Sequence, residues 1–355
     1  MKFSKVFFSF ALVFVFLFIQ IYPSHAEEKR VDDYTFGEIE SMLFNYFKEN
    51  NLSYKMGSEE LDSYLFNQLM HHKDKNLEKH PKYDLILAYA AEYLHEKSLY
   101  TVESASTNKK SFATIKNENP KFNMNNVSTK TIGNIKETVE NEDAQAKVNQ
   151  MKRAPKMAAL GSGGYNASQA ASYAVKWATG RNPSYEDYSG SPIPGLGGGG
   201  DCTNFVSQAV LAGGKWMNKP DGINNSTPTI LDGNTYWYCV GIPNGNGNRM
   251  NFKATQSWTV VEGFYTYWTS RGVSSYETYS PKALEGVANV GDVIQYKNDT
   301  TGRKWHSLMV TNKSPGSFQI SQHSKDRKNA EIGYILSNDE DVRNSKLIIL
   351  QFTRS

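Results

Sequence analysis

The sequence is short of cysteine. Its 355 residues contain two, Cys202 and Cys239, so at most one bridge can form and a disulfide-stapled scaffold is excluded. No sign of charge dominates either: Lys and Arg total 39 against 36 Asp and Glu, a formal net charge of +3, and this balance argues against nucleic acid as the main partner. After the first 26 residues no long apolar run occurs, which leaves no later candidate for a membrane span. Several catalytic signatures are missing. Gly-x-Ser-x-Gly is absent, so a serine hydrolase is not indicated. Residues 195–200 lack the Lys-Ser/Thr ending of a phosphate loop, and Asn338-Asp339-Glu340-Asp341 lacks the glycine and distal glutamate of a calcium loop. His71, His72, His80 and His95 do not have zinc-protease spacing and read as a solvated helix end, so no metal is expected.

What is present divides into three parts. A content of 39% hydrophobic and 13% aromatic residues can build cores, and a prior of roughly 150 residues per domain suggests two folded units. Ahead of them, Lys2 and Lys5 precede an apolar run over residues 6–21, and Ser24-His25-Ala26 offers small residues at a cleavage site. This predicts a signal peptide over 1–26 and a secreted mature chain starting at Glu27, with a net charge of about +1. The apolar run, roughly 16 residues, is shorter than the ~20 a spanning helix needs, so no membrane span is expected after cleavage.

Residues 27–160 read as a mainly helical region with a linker. Phe36, Ile39, Met42, Leu43, Tyr46 and Phe47 recur at helical spacing, as do Leu61, Tyr64, Leu65 and Leu69, and a third helix is expected over 82–97. Residues 101–131, polar and interrupted by Pro120, read as loop or linker. The charged stretch 132–160 predicts a solvated helix running into a Gly161-Ser162-Gly163-Gly164 hinge.

Residues 161–355 have another texture. Asn166 can cap a helix over 167–178, and Gly180 and Pro183 stop it. After a Pro/Gly loop at 192–200, a helix is expected over 201–211 with Gly213-Gly214 as its terminator. A further helix is expected over 260–271, and strands over 293–296, 306–311, 318–321 and 347–352. Helices followed by an antiparallel sheet make the class α+β.

The chemistry centres on Cys202. The thiolate is the attacking form, the free pKa is ~8.5, and a helix start favours the ion. The alternative is a buried or bridged cysteine. His306, heading a predicted strand, can supply the base of a Cys–His pair. A third group should orient the imidazole: His323, at the end of the neighbouring strand, comes first, with Asp326 and Asn329 in reserve. Asp201 can cap the nucleophile helix and Asn204 can tie down the glycine loop, although ordinary helix-start composition explains both.

The segments Tyr165 to Trp177, Arg181-Asn182-Pro183, Gly200-Asp201-Cys202-Thr203-Asn204-Phe205-Val206-Ser207-Gln208, Gly291-Asp292-Val293-Ile294-Gln295, Trp305-His306 and Ser321-Gln322-His323 resemble the amidase domain of secreted Gram-positive bacterial proteins. The resemblance covers about residues 160–355. It implies a papain-like core related to the NlpC- and CHAP-type cysteine amidases, and it leaves the mainly helical N-terminal region unexplained. It also implies Cys202 as nucleophile, His306 as base and His323 as orienting residue, no cofactor, and a peptide or peptidoglycan substrate at the cell wall. Papain-like proteases place a glutamine shortly before the cysteine as an oxyanion donor, and this chain has glycine at 197–200. The backbone N–H of Cys202 is one candidate donor, and the second is not assigned. Trp237, Tyr238, Trp258, Tyr265 and Trp268 read more readily as core than as cleft lining. The other reading is a catalytically inactive binding module that keeps the fold, with Cys202 bridged to Cys239. The region before residue 160 reads as a pro-segment over the cleft or as a targeting domain.

Overall fold

The computed structural model describes residues 28–107, 122, 124–158, 164–189, 201–231, 233–243, 250–338 and 345–355. The expected signal peptide, the hinge at 161–163 and the glycine run at 197–200 lie outside them.

The N-terminal unit is helical: α1 (Phe36–Glu49), α2 (Glu59–His71), α3 (Tyr83–Thr107), a single turn α4 (Asn125–Ser128) and α5 (Ile132–Ala158). Local chemistry fixes the starts of α1 and α2. At α1, Thr35 Oγ1 accepts from the Glu38 N–H at 3.2 Å while Glu38 Oε2 accepts from the Thr35 N–H at 2.7 Å, a reciprocal capping box. Ser58 Oγ caps α2 by accepting from the Leu61 N–H at 3.2 Å, without a reciprocal bond. The apolar stripes of α1, α2 and α3 meet in one cluster with Ile132, Ile135 and Val139 of α5. The helix over 132–158 is therefore solvated on one face only. Its apolar residues fill this core, and its carboxylates find partners in the second unit.

That unit begins with α6 (Ala167–Trp177) and α7 (Cys202–Ala212) and continues through a small sheet of β1 (Ile230–Leu231), β2 (Cys239–Pro243) and β3 (Met250–Thr255). Next come α8 (Gln256–Thr259), α9 (Val261–Thr269), β4 (Ser274–Thr278), α10 (Pro281–Val287), β5 (Val293–Asn298), β6 (Lys304–Ser314), β7 (Ser317–Gln322), β8 (Arg327–Glu331), α11 (Ile332–Asn338) and β9 (Ser345–Gln351). The main sheet has six strands in the order β4-β9-β5-β6-β7-β8, every neighbouring pair antiparallel. The class is α+β, as the order of elements predicts.

Helices cover both faces of the sheet. Val293, Met309, Ile348 and Leu350 face α6, α7 and α9. Ile294, Leu308, Val310, Ile320 and Ile349 face α10 and α11. Alternate side chains of a strand point to opposite faces, so each position on β5, β6 and β9 belongs to one core or the other. The five aromatics Trp237, Tyr238, Trp258, Tyr265 and Trp268 are all buried, the first four completely; they are core. Among the described residues no helix is long and apolar enough to cross a membrane.

Gly291 joins the first helix of this unit to the sheet. It has φ of +91°, a Cβ placed there would lie 2.7 Å from the Ala167 Cα, and its carbonyl accepts from the Tyr165 hydroxyl at 2.6 Å. Both the left-handed backbone and the close approach require glycine. Gly291→Ala should lower unfolding stability by about 2 kcal/mol or more, read as the change in urea midpoint; an unchanged midpoint would show that α6 yields freely.

Candidate functional site

Cys202 is the first residue of α7 and is 5% exposed. Its Sγ lies 3.7 Å from Thr203 Oγ1, and the backbone N–H groups of Ser307 and Thr203 are directed at it. Thr203 Oγ1 in turn lies 3.2 Å from Ser307 Oγ, which accepts from Gln295 Nε2 at 3.1 Å. The thiol thus sits between the helix start and β6 among groups that can stabilise negative charge. Burial pushes its pKa up, and the Thr203 and Ser307 donors oppose that without reversing it. At rest Cys202 is a thiol. Cys239 is also a buried free thiol, pushed up to about 12 by burial, and no bridge joins the two.

Asp201 does not cap α7. Its side chain makes no cap hydrogen bond there and turns instead to a buried cluster. Oδ2 lies 2.5 Å from His323 Nδ1 and 3.0 Å from Arg181 Nε, and Oδ1 accepts from Asn204 Nδ2 at 2.7 Å. Asn204 also donates to the Glu186 carbonyl at 2.9 Å and accepts from Trp258 Nε1 at 2.8 Å. One carboxylate therefore fixes the start of α7 against α6, β7 and the segment at 186–188.

His323 is spent in this cluster. Its Nε2 faces the Trp177 carbonyl at 2.7 Å, which can only accept, so Nε2 donates; Nδ1 contacts the Asp201 carboxylate; and the ring packs on Phe205 at 4.1 Å between centroids. It does not stand beside His306, as expected from the strand order. The reserves are engaged too: Asp326 forms a two-bond pair with Arg181 at 2.9 and 3.0 Å, and Asn329 accepts from Thr311 Oγ1 at 2.8 Å.

His306 is on the other face. It pairs with Tyr296 in the β5–β6 register, its ring lies 5.4 Å from that of Tyr296, and it shares its side of the sheet with Leu308. Ser307 takes the Cys202 side. Among the described residues neither ring nitrogen of His306 has a hydrogen-bond partner in proper geometry. Burial drives its pKa down to about 3, with Gln322 opposing and the positive groups of Arg327, Lys325 and His71 adding to the fall. The arrangement brings Cys202, Asp201 and His323 to one helix start and leaves His306 behind the sheet. The reason is a bulge at Trp305, where Tyr296 pairs with His306 and Lys297 with Lys304; one extra residue reverses the facing of every later side chain on the strand. The Ser307 donor is not foreseen from the sequence, because nothing local marks a backbone N–H that a distant strand supplies.

The four N-terminal histidines do not form a cluster, and among the described residues no group of three or more His, Cys, Asp or Glu could hold a metal ion. His72 is buried rather than solvated, its Nδ1 2.7 Å from the Tyr83 hydroxyl. A surface cavity of about 450 Å³ on α6, lined by Asn166, Gln169, Tyr173 and Lys176, reaches neither Cys202 nor His306.

These charges predict two outcomes. Asp201→Asn removes the buried carboxylate that pairs directly with both Arg181 and His323 and should cost about 3 kcal/mol or more in unfolding free energy; a loss under 1 kcal/mol in a denaturant titration would show that the cluster is incidental. His306 is neutral in the fold and takes up a proton on unfolding below about pH 6.5. Its contribution is therefore flat above that pH, and stability falls by up to ~1.4 kcal/mol per pH unit as pH drops from there toward 3. His306→Gln should flatten this slope in urea titrations run from pH 7 to 4. His95, lowered to about 4 mainly by burial, acts in the same direction in both proteins and cancels in the comparison.

The likeness to known proteins lies in the second unit. Residues 164–345, just over half of the chain, match the model of the family described as "Putative amidase domain". The chain is similar to the uncharacterized protein YhbB of Bacillus subtilis (strain 168), 28% identical over 158 residues. That stretch is 44% of this chain and 40% of the relative, so the chain matches less than half of the relative's length. No solved structure matches. The chain belongs to the amidase-domain family that this model defines.

Proposed function

We propose that the protein is a secreted, cysteine-dependent amide hydrolase acting on peptide bonds of the cell wall, with the papain-like arrangement of a nucleophile helix packed on an antiparallel sheet. The observation that carries this reading is the position of Cys202: the first residue of α7, its Sγ met by the backbone N–H groups of Thr203 and Ser307. Those donors suit a sulfur that becomes negative and a carbonyl oxygen that becomes negative beside it.

In the proposed reaction Cys202 gives its proton to His306 and its sulfur attacks the amide carbonyl carbon. The C–N bond breaks as His306 returns the proton to the leaving amine, which leaves a thioester on Cys202. His306 then takes a proton from water as the hydroxide adds to the thioester carbonyl; the C–S bond breaks, His306 returns that proton to the Cys202 sulfur, and the released carboxylic acid ionises to solvent. His306 must reach the α7 face for this to occur. His323 contributes by holding Asp201 and hence the start of α7, as a positioning residue. Peptidoglycan stem peptides are the substrate class this reading favours, through the family and the expected export of the chain.

The second reading, an inactive module that binds wall peptides, draws on the separation of His306 from Cys202. Hydrolysis of peptidoglycan fragments, monitored by mass spectrometry, distinguishes the two. Cys202→Ala should reduce turnover roughly 10³-fold or more and abolish a trapped acyl-enzyme, while Cys239→Ser leaves both intact. Turnover that survives Cys202→Ala would sink the cysteine mechanism, and binding of fragments without turnover would favour the inactive module.

A further inference from the structure

The strand that carries His306 has an extra residue at each end of one short stretch. On the β5 side Trp305 is bulged between the pairs Lys297 with Lys304 and Tyr296 with His306. On the β7 side Thr311 is bulged between the pairs Val310 with Ile320 and Asn312 with Gln319. Between the bulges the sequence runs His306-Ser307-Leu308-Met309-Val310. Read on either parity it places one polar residue ahead of an apolar one, and Leu and Met are nearly interchangeable in volume. The alternation that ordinarily fixes register is weak where both sides fit.

Flattening the Trp305 bulge would pair Trp305 with Tyr296, His306 with Gln295 and Leu308 with Val293. His306 would then occupy the α7 face in place of Ser307. Two buried groups without hydrogen-bond partners among the described residues mark this alternative. The His306 ring nitrogens have none in proper geometry, although the Gln322 side chain lies beside them, and neither does Gln295 Oε1. Directly opposite residues have Cβ atoms about 5 Å apart, so in the slipped register the Gln295 oxygen can accept from the imidazole and orient it. Buried polar atoms are ordinarily satisfied, and such exceptions need a reason.

The bulge is held by the N-terminal unit. Arg303 donates to both oxygens of Glu92 on α3 at 2.9 and 3.1 Å and to Glu142 on α5 at 3.2 Å. Lys304 Nζ donates to Asp143 on α5 at 2.8 Å and to Glu262 on α9 at 3.1 Å. Trp305 packs against the N-terminal hydrophobic cluster, and Lys325, at the far end of β7, donates to the Met70 carbonyl of α2 at 3.3 Å. Three consecutive residues immediately before His306 are thus held from the N-terminal unit, alongside the bonds of Lys304 to Glu262 and of Trp305 Nε1 to Ser345 within the second unit.

We propose that the N-terminal helical unit is a latch: by gripping Arg303, Lys304 and Trp305 it keeps β6 in a resting register with His306 turned away from Cys202, and its release lets the strand slip one residue and deliver His306 to the thiol. The proposal rests on the cysteine-amidase reading above. The bonds of Ser307 to Thr203 and Gln295 stabilise the resting register and are given up on release.

The test uses the full-length mature protein. Glu92→Gln with Asp143→Asn weakens the grip, and the readout is the rate of iodoacetamide labelling at Cys202 near neutral pH, mapped by mass spectrometry with and without His306→Ala. The unaltered protein should label slowly and be insensitive to His306→Ala. The double variant should label at least ten times faster and fall back when His306→Ala is added. A double variant that still melts cooperatively but labels at the original rate overturns the latch. Faster labelling that ignores His306→Ala does so as well, since the helices would then only shield the thiol. If the double variant does not fold, Glu142→Lys replaces it, because that side chain is about half exposed (49%) and its loss leaves Glu92 on Arg303. Fast, His306-dependent labelling of the unaltered protein refutes the latch and leaves the amidase reading standing; absence of peptide turnover in every form, whatever the labelling, refutes the amidase reading instead.

Discussion

Every residue of β6 between His306 and Val310 is buried, and the strand is covered on both faces, so each side chain must belong to one core or the other. That two-sided constraint governs the site. With Ser307 and Met309 turned to α7, the Ser307 N–H meets Cys202 and its hydroxyl meets Thr203, and His306 is committed to the Tyr296 side, with Gln322 beside it and no hydrogen bond in proper geometry among the described residues. A sheet open to water on one face would let a histidine at this position titrate freely. Here the same burial that packs the strand also keeps the imidazole neutral.

Charge is then used for placement rather than for gross stability. Asp201 gathers Arg181, His323 and Asn204, while Arg303 and Lys304 gather Glu92, Glu142, Asp143 and Glu262. Buried ions are costly to desolvate, and a hydrophobic replacement of similar volume would often be as stable. What such clusters add is geometric: a carboxylate answered by three donors admits few arrangements. Within the second cluster burial raises the carboxyls of Glu142 and Asp143, whereas Lys304 and Arg303 overcome burial at Glu262 and hold it down at about 2. Glu262 is therefore the anion around which the two cations are anchored, and the helices of the N-terminal unit add to a site already charged.

How much of this is legible in the sequence depends on the range of the interactions involved. The first residue of α7 is readable because glycine, asparagine and apolar spacing are local signals, and so are the starts of α1 and α6 at Thr35 and Asn166. The helix over residues 132–158 is recognisable, but its environment is not, since nothing near Asp143 in sequence announces Lys304. Strands β4, Ser-Ser-Tyr-Glu-Thr, and β8, Arg-Lys-Asn-Ala-Glu, lie at the two edges of the sheet and need no apolar alternation, so no pattern betrays them. The facing of His306 is hidden most completely. It depends on a single extra residue at Trp305, and a bulge arises from pairing with a distant strand, not from the residue's own neighbours.

The electrostatics of Cys202 and His306 have the same missing element. Backbone and hydroxyl donors surround the sulfur, yet burial still raises the thiol, because dipoles alone do not replace the water that a thiolate loses. The imidazole, in apolar surroundings among positive groups, is driven down to about 3 and cannot carry a proton at neutral pH. Each group lacks what the other would supply: a cation for the sulfur, an anion for the ring. Moved to the position of Ser307, the ring would meet the thiol, and proton transfer between them would create a pair in which each charge offsets the desolvation of the other. On the proposed reading, this register withholds thiol and imidazole together by keeping them on opposite sides of one strand.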